Sequence, residues 1–142
     1  MISATEIREC AFCQGFAEPE LAALASIGLH TRWKAGEVIL EAGSNALDFY
    51  IIQAGTVLLS FPNGRALILR EGGQTIGWSS FVSPFKNTAT ALCLTDAILL
   101  RFPAQELSRL IQMDAGFGQT LTSRMAVIME ERRPYREEGS ES

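Results

Sequence analysis

The hydrophobic positions along this chain change period twice. Ser3-Ala4-Thr5-Glu6 has the form of a capping box, and Ile7, Cys10 and Ala11 follow at helical spacing. Gly15 breaks that helix. Glu18-Pro19 restarts one, with Leu21, Leu24 and Ala25 on one face, and Gly28 ends it. From Thr31 the pattern shortens to strand length. Trp33 to Gly43 reads as a short strand between glycine turns, Asp48 to Gly55 as a second and Thr56 to Phe61 as a third. Asn63-Gly64 is a strong hairpin signal, so Ala66 to Arg70 is expected to pair back on the third strand. Ile98 to Phe102 supplies a last strand. After Pro103 the helical period returns: Gln105, Leu107, Leu110 and Ile111 suit a short helix, and Asp114 N-caps a longer one carrying Phe117, Leu121, Met125 and Ile128. Pro134 is expected to stop it.

The order predicts N-terminal helices over 1–30, a β-roll over 31–102, closing helices over 103–133 and a flexible polar tail over 134–142. The fold class is mainly β with flanking helices, an antiparallel β-roll or jelly roll (a double-stranded β-helix). Within the roll, residues 72–91 stand apart. Gly77 ends a strand-like approach, Trp78 to Val82 allow one helical turn, Pro84 stops it, and Thr88 to Leu92 resume an extended pattern. Strand, turn, loop and strand in that order present backbone N–H groups to an anion.

Composition narrows the function classes. The 142 residues are 47% hydrophobic and 20% charged, enough for one domain with its own core. No apolar run approaches the roughly 20 residues of a membrane-spanning helix, and Met1 to Glu9 carries no signal-peptide core. A formal charge of −4 disfavours non-specific nucleic-acid binding, so a cytoplasmic domain with no direct nucleic-acid or membrane contact is expected. Cys10 and Cys13 have Cys-x-x-Cys spacing, but with Cys93 and His30 scattered elsewhere they read as buried helix residues, not as a metal or redox centre.

Ala35-Gly36-Glu37-Val38-Ile39 with Gly43, Phe49-Tyr50-Ile51-Ile52 with Gly55-Thr56-Val57, and Ile76-Gly77 with Thr88-Ala89 together resemble the cyclic-nucleotide-binding domain of catabolite-activator-type (Crp/Fnr-like) regulators. The likeness runs from about Phe16 to Arg132 and implies a sensory β-roll with its phosphate-binding cassette at 72–91. It implies ligand contacts at Gly77, Trp78, Ser79, Ser80, Lys86, Asn87, Thr88 and Ala89, with a cyclic nucleotide as the possible ligand. The cassette departs from the family at two positions. Where nucleotide-binding members have a glutamate for the ribose there is Trp78, and where they have an arginine for the phosphate there is Asn87. Losing both charge-assisted partners costs about 3–6 kcal/mol, about two to four orders of magnitude in affinity. Lys86 is the candidate replacement cation, although in an extended segment it points to the opposite face from Asn87. Trp78 either fills the ribose space or stacks on a different ligand. Arg65 either reaches an anion or is solvated at the hairpin.

Three functional readings follow. The first is a non-catalytic regulatory domain that binds a nucleotide or another small anion. In the resembled regulators a helix-turn-helix follows the long helix; here the chain stops near Arg133, so output is expected through a protein partner or a homodimer. The stripe Phe117, Leu121, Met125 and Ile128 either dimerises or packs on its own roll. The second is a protein-interaction module with a filled pocket. The third, a cupin-like metal enzyme, has only His30 to offer as an imidazole ligand and no readable nucleophile–base pair.

Overall fold

Two strands at the centre of one sheet of the roll bury both of their faces. A computed structural model describes residues 2–70, 72, 74–81 and 85–136. Its strands are β1 (Leu29–Trp33), β2 (Val38–Leu40), β3 (Asp48–Ala54), β4 (Thr56–Ser60), β5 (Ala66–Arg70), β6 (Thr75–Ile76), β7 (Thr90–Cys93) and β8 (Ala97–Pro103). They form two antiparallel sheets of four strands, ordered β1-β8-β3-β6 and β2-β7-β4-β5. In β3, Tyr50 and Ile52 join the core between the sheets, while Phe49 and Ile51 point to a second core beneath the helices. β8 does the same with Leu99 on one side and Leu100 and Phe102 on the other. Two-sided burial follows from the period of two in a strand, and each such side chain contributes about 1.5–3 kcal/mol.

The helices are α1 (Ala4–Arg8), α2 (Glu18–Ser26), α3 (Ala104–Met113) and α4 (Ala115–Arg136). The predicted β-roll with flanking helices is what forms. The Asn63-Gly64 hairpin joins β4 to β5 in the expected register, Ser60 opposite Ala66. Asp114 caps α4, its carboxylate accepting from the Phe117 N–H at 3.1 Å. Three details differ from the sequence reading. β1 begins at Leu29, so His30 lies in a strand. Cys10 is outside α1 and precedes a 3-10 turn at Ala11–Cys13. α4 runs through Pro134 to Arg136. Residues 137–142 of the expected tail, and the Val82 and Pro84 of the expected turn and stop, lie outside the described residues.

The capping box at α1 is formed in both directions: Ser3 Oγ accepts from the Glu6 N–H at 3.3 Å, and Glu6 Oε2 accepts from the Ser3 N–H at 2.8 Å. The Ser3 bond foremost, then the His30 ring 2.6 Å from Glu6 Oε1, hold the Glu6 carboxyl down to about 2. A depressed folded-state value means that the unfolded chain binds the proton first. The contribution is therefore present above the ordinary carboxylate range and is lost as pH falls towards about 2. Urea unfolding between pH 2 and 6 should show this acid loss in the wild type and a flatter profile in Glu6→Gln.

Candidate functional site

The cassette begins with a backbone constraint. Gly77 has φ +89°, and a Cβ there would stand 2.4 Å from the Asp48 carbonyl oxygen. Only glycine lets β6 pass so close to β3 and turn into the 3-10 turn at Trp78–Phe81. That turn carries Trp78, Ser79 and Ser80, all buried. Ser80 is engaged internally: its N–H and its hydroxyl both donate to the Gly77 carbonyl, at 3.0 and 2.8 Å. Opposite the turn, Asn87 is tied into the loop before β3. Its N–H donates to the Ser44 carbonyl at 2.8 Å, and its own carbonyl accepts from the Gly43 N–H at 2.8 Å.

Six of the eight expected cassette residues meet around one cavity: Gly77, Trp78, Ser79, Asn87, Thr88 and Ala89. Lys86 is not in its lining. It forms a bridge with Asn45, and its ammonium donates to Asn45 Oδ1 at 2.5 Å on an exposed surface. Ser80 faces an apolar groove beside α4 instead.

The cavity itself has room for only about 10 Å³. That is about one water molecule and far below the space a nucleotide needs. Trp78 and Arg132 are among the side chains that border it. Trp78, 7% exposed, packs into the core beneath the helices. Arg132 enters from α4 and is 6% exposed. Burial pushes its guanidinium down to about 10, the Glu131 charge opposing the shift. Its Nη1 has no hydrogen-bond partner, and neither has Asn87 Oδ1 in the same cavity.

Arg132 reaches the cavity because the last turn of α4 is held over the roll. A helix end leaves carbonyls unsatisfied, and here the β4–β5 hairpin supplies the donors. Asn63 Nδ2 donates to the Tyr135 carbonyl at 2.9 Å, and the Arg65 guanidinium donates to that of Pro134. The Phe61 and Tyr135 rings stack at 6.5 Å, and Arg136 lies 5.3 Å over the Trp78 ring. Arg65 is thus bound to a helix end. Long-range clasping also explains why Pro134 does not end α4 where local rules expect it.

The α4 stripe is turned inward. Phe117, Leu121 and Met125 are buried in the core beneath the helices, and Ile128 packs half-buried against it. Gly118 lets the two closing helices approach, since a Cβ there would stand 2.8 Å from Ile111 Cγ2. The cysteines are free and buried. Burial pushes the Cys13 thiol up to about 12 and the Cys10 thiol up as well, which disfavours the thiolates that metals need. No group of three or more metal-ligating side chains occurs among the described residues, and no described helix is long and apolar enough to cross a membrane.

A two-sheet roll with a glycine-led cassette between strands defines a class, and comparison identifies it. Residues 30–114, more than half of the chain, match the cyclic nucleotide-binding domain family, and the protein belongs to that family. A Geobacter metallireducens protein, provisionally named a cyclic nucleotide-binding protein, is 22% identical with a TM-score of 0.84, over 93% of this chain and 98% of its own. The catabolite activator protein of Thermus thermophilus is 20% identical with a TM-score of 0.71, over 86% of this chain and 59% of its own. The regulatory subunit of a cAMP-independent protein kinase A from Trypanosoma brucei is 17% identical with a TM-score of 0.73, over 96% of this chain and 46% of its own. At these identities the likeness concerns the fold. No curated protein matches the sequence.

Proposed function

We propose that this protein is a non-catalytic regulatory domain whose cassette is closed to cyclic nucleotides by its own side chains, and that it acts through a protein partner. The observation that carries this reading is the cavity of about 10 Å³ between Trp78 and Arg132. A nucleotide would have to expel a core tryptophan and a buried arginine, and would find neutral Asn87 where the family has its phosphate cation. The name of the Trypanosoma brucei neighbour describes a kinase regulatory subunit that is independent of cAMP, so a regulatory role without that ligand has a structural relative.

A second reading is favoured by one specific observation. Arg132 Nη1 and Asn87 Oδ1 are buried and unpartnered at the same cavity. If the last turn of α4 lifts, the Arg132 guanidinium and the Ser79 hydroxyl would donate to an incoming anion, and Asn87 Oδ1 would accept from a ligand hydroxyl. Homodimerisation through the Phe117, Leu121, Met125 stripe is not part of either reading, because those side chains already fill the monomer's core.

Thermal shift with cyclic AMP, cyclic GMP and cyclic dinucleotides at about 1 mM separates the two. A ligand with a dissociation constant near 10 μM would add roughly 2.7 kcal/mol of stability. No shift is expected with any of them. A shift that disappears in Arg132→Met would favour the second reading.

A further inference from the structure

A cleft of about 380 Å³ lies between β2 and the start of β3. We propose that it binds a small primary amine, as its ammonium ion, through Asp48 and Tyr50 at one wall and an apolar rim at the other. Asp48 lines the cleft with its side chain 25% exposed. Arg101 Nε is 4.0 Å from Asp48 Oδ1, beyond hydrogen-bond distance, and among the described residues nothing donates to this carboxylate. Burial raises the Asp48 carboxyl, with Arg101 opposing the shift, so the guanidinium leaves the charge under-compensated.

Tyr50 follows two residues along β3, on the same side of the strand. It is 4% exposed and lines the same cleft, and its hydroxyl has no partner among the described residues. Unlike Thr75 Oγ1 or Arg132 Nη1, that hydroxyl is not sealed from solvent. Burial first, then the Asp48 charge, push it up to about 12, so it stays protonated while its oxygen can accept. An ammonium has three donors and no acceptor, which matches a carboxylate beside a hydroxyl oxygen. An anion would meet Glu41 as well as Asp48 and is disfavoured. Asn45 also lines the cleft, but its Oδ1 already accepts from the Lys86 ammonium at 2.5 Å, which leaves Asp48 to hold the ligand's charge.

The rim sets the rest of the ligand. Val38 and Leu47 stand 47% and 68% exposed at the cleft, an apolar surface that an alkyl or aryl group would cover. The volume falls at the low end of the about 300–1,000 Å³ of small-molecule sites, so the ligand is small. Leu47, Asp48 and Tyr50 do not line the cassette cavity. The site is therefore independent of whether a cyclic nucleotide ever binds.

The test is an amide NMR titration of the full chain at pH 7 with phenethylamine hydrochloride, with phenylethanol and phenylacetate as controls. The amine is expected to shift Val38, Glu41, Leu47 and Asp48 saturably, and the neutral alcohol and the anion are not. Asp48→Asn should weaken the amine at least about tenfold, and Tyr50→Phe, which keeps the ring, at least about threefold. Leu47→Lys, at a position exposed enough to leave the fold intact, should abolish binding by like-charge repulsion. The proposal is overturned by the absence of saturable shifts at about 20 mM, or by equal binding of amine and alcohol. Binding that survives Asp48→Asn or Leu47→Lys unchanged overturns it as well. Shifts confined to residues 77–80 and 88–89 would overturn it too, and would separately count against a closed cassette.

Discussion

Arg132→Met is expected to raise the melting temperature by roughly 2–12 °C. A guanidinium that is 6% exposed and has an unpartnered nitrogen has given up water without full compensation. Its lowered value of about 10 is the same statement in protonic terms, with burial as the cause. Methionine keeps the packing of the aliphatic stem and removes the charge, and such exchanges stabilise by about 1–3 kcal/mol. At about 2–4 °C per kcal/mol for a chain of this size, that gives the stated shift. The sign with pH follows. The unfolded arginine holds its proton to higher pH than the folded one, so the wild type pays the full penalty below about 10 and regains stability above it. The variant should lack that rise. Calorimetric melting at pH 8, with urea unfolding carried to pH 11, checks both parts. A lowered melting temperature would mean that the cation stabilises the fold, and the argument for an uncompensated charge would fail.

Gly77→Ala is expected to lower the melting temperature by roughly 6–15 °C. A positive φ costs an alanine about 1–2 kcal/mol, and forcing a methyl into a packed site costs about 1–3 kcal/mol more. The clash is with backbone, the Asp48 carbonyl at 2.4 Å and Phe49 Cα at 3.2 Å, which cannot step aside as a side chain would. Gly36→Ala is the matched control. Its φ is +93°, but nothing lies within 4 Å of the added Cβ, so only the conformational cost applies. Differential scanning calorimetry should show Gly77→Ala losing at least twice as much as Gly36→Ala. Equal losses would remove the packing argument for Gly77.

These two positions mark what could be read from the sequence and what could not. Gly77 was legible because the requirement is local: a glycine between a strand pattern and a single turn announces a special backbone. Asp48–Ala54 and Thr56–Ser60 were legible for the same reason, with Gly55 between them, whereas β1, Leu29–Trp33, was not separated from the Trp33 to Gly43 segment. Asn63-Gly64 fixed a register by turn chemistry alone. Trp78 allowed two readings, a filled ribose space or a stacking contact for a ligand, and nothing local decided between them.

Arg132 was not legible. In the charged run Glu130-Glu131-Arg132-Arg133 it looks like a solvated helix end. It is drawn inward because Asn63 and Arg65, some seventy residues away in sequence, hold the carbonyls of Tyr135 and Pro134. No local pattern encodes that clasp. Lys86 is the cation nearest to Asn87 in sequence, but the Asn45 bridge holds it outside the cavity. The Phe117, Leu121, Met125 stripe was periodic enough to show a buried face but not whose surface buries it.

The central claim is that Trp78 and Arg132 close the cassette against cyclic nucleotides, and residue-resolved NMR with cyclic AMP at about 1 mM addresses it directly. The closed cassette predicts that the amides of Gly77, Ser79, Thr88 and Ala89, the Trp78 indole and the Asn87 side-chain amide stay where they are. Saturable shifts at those groups, with the Arg132 guanidinium signal moving alongside them, would contradict it.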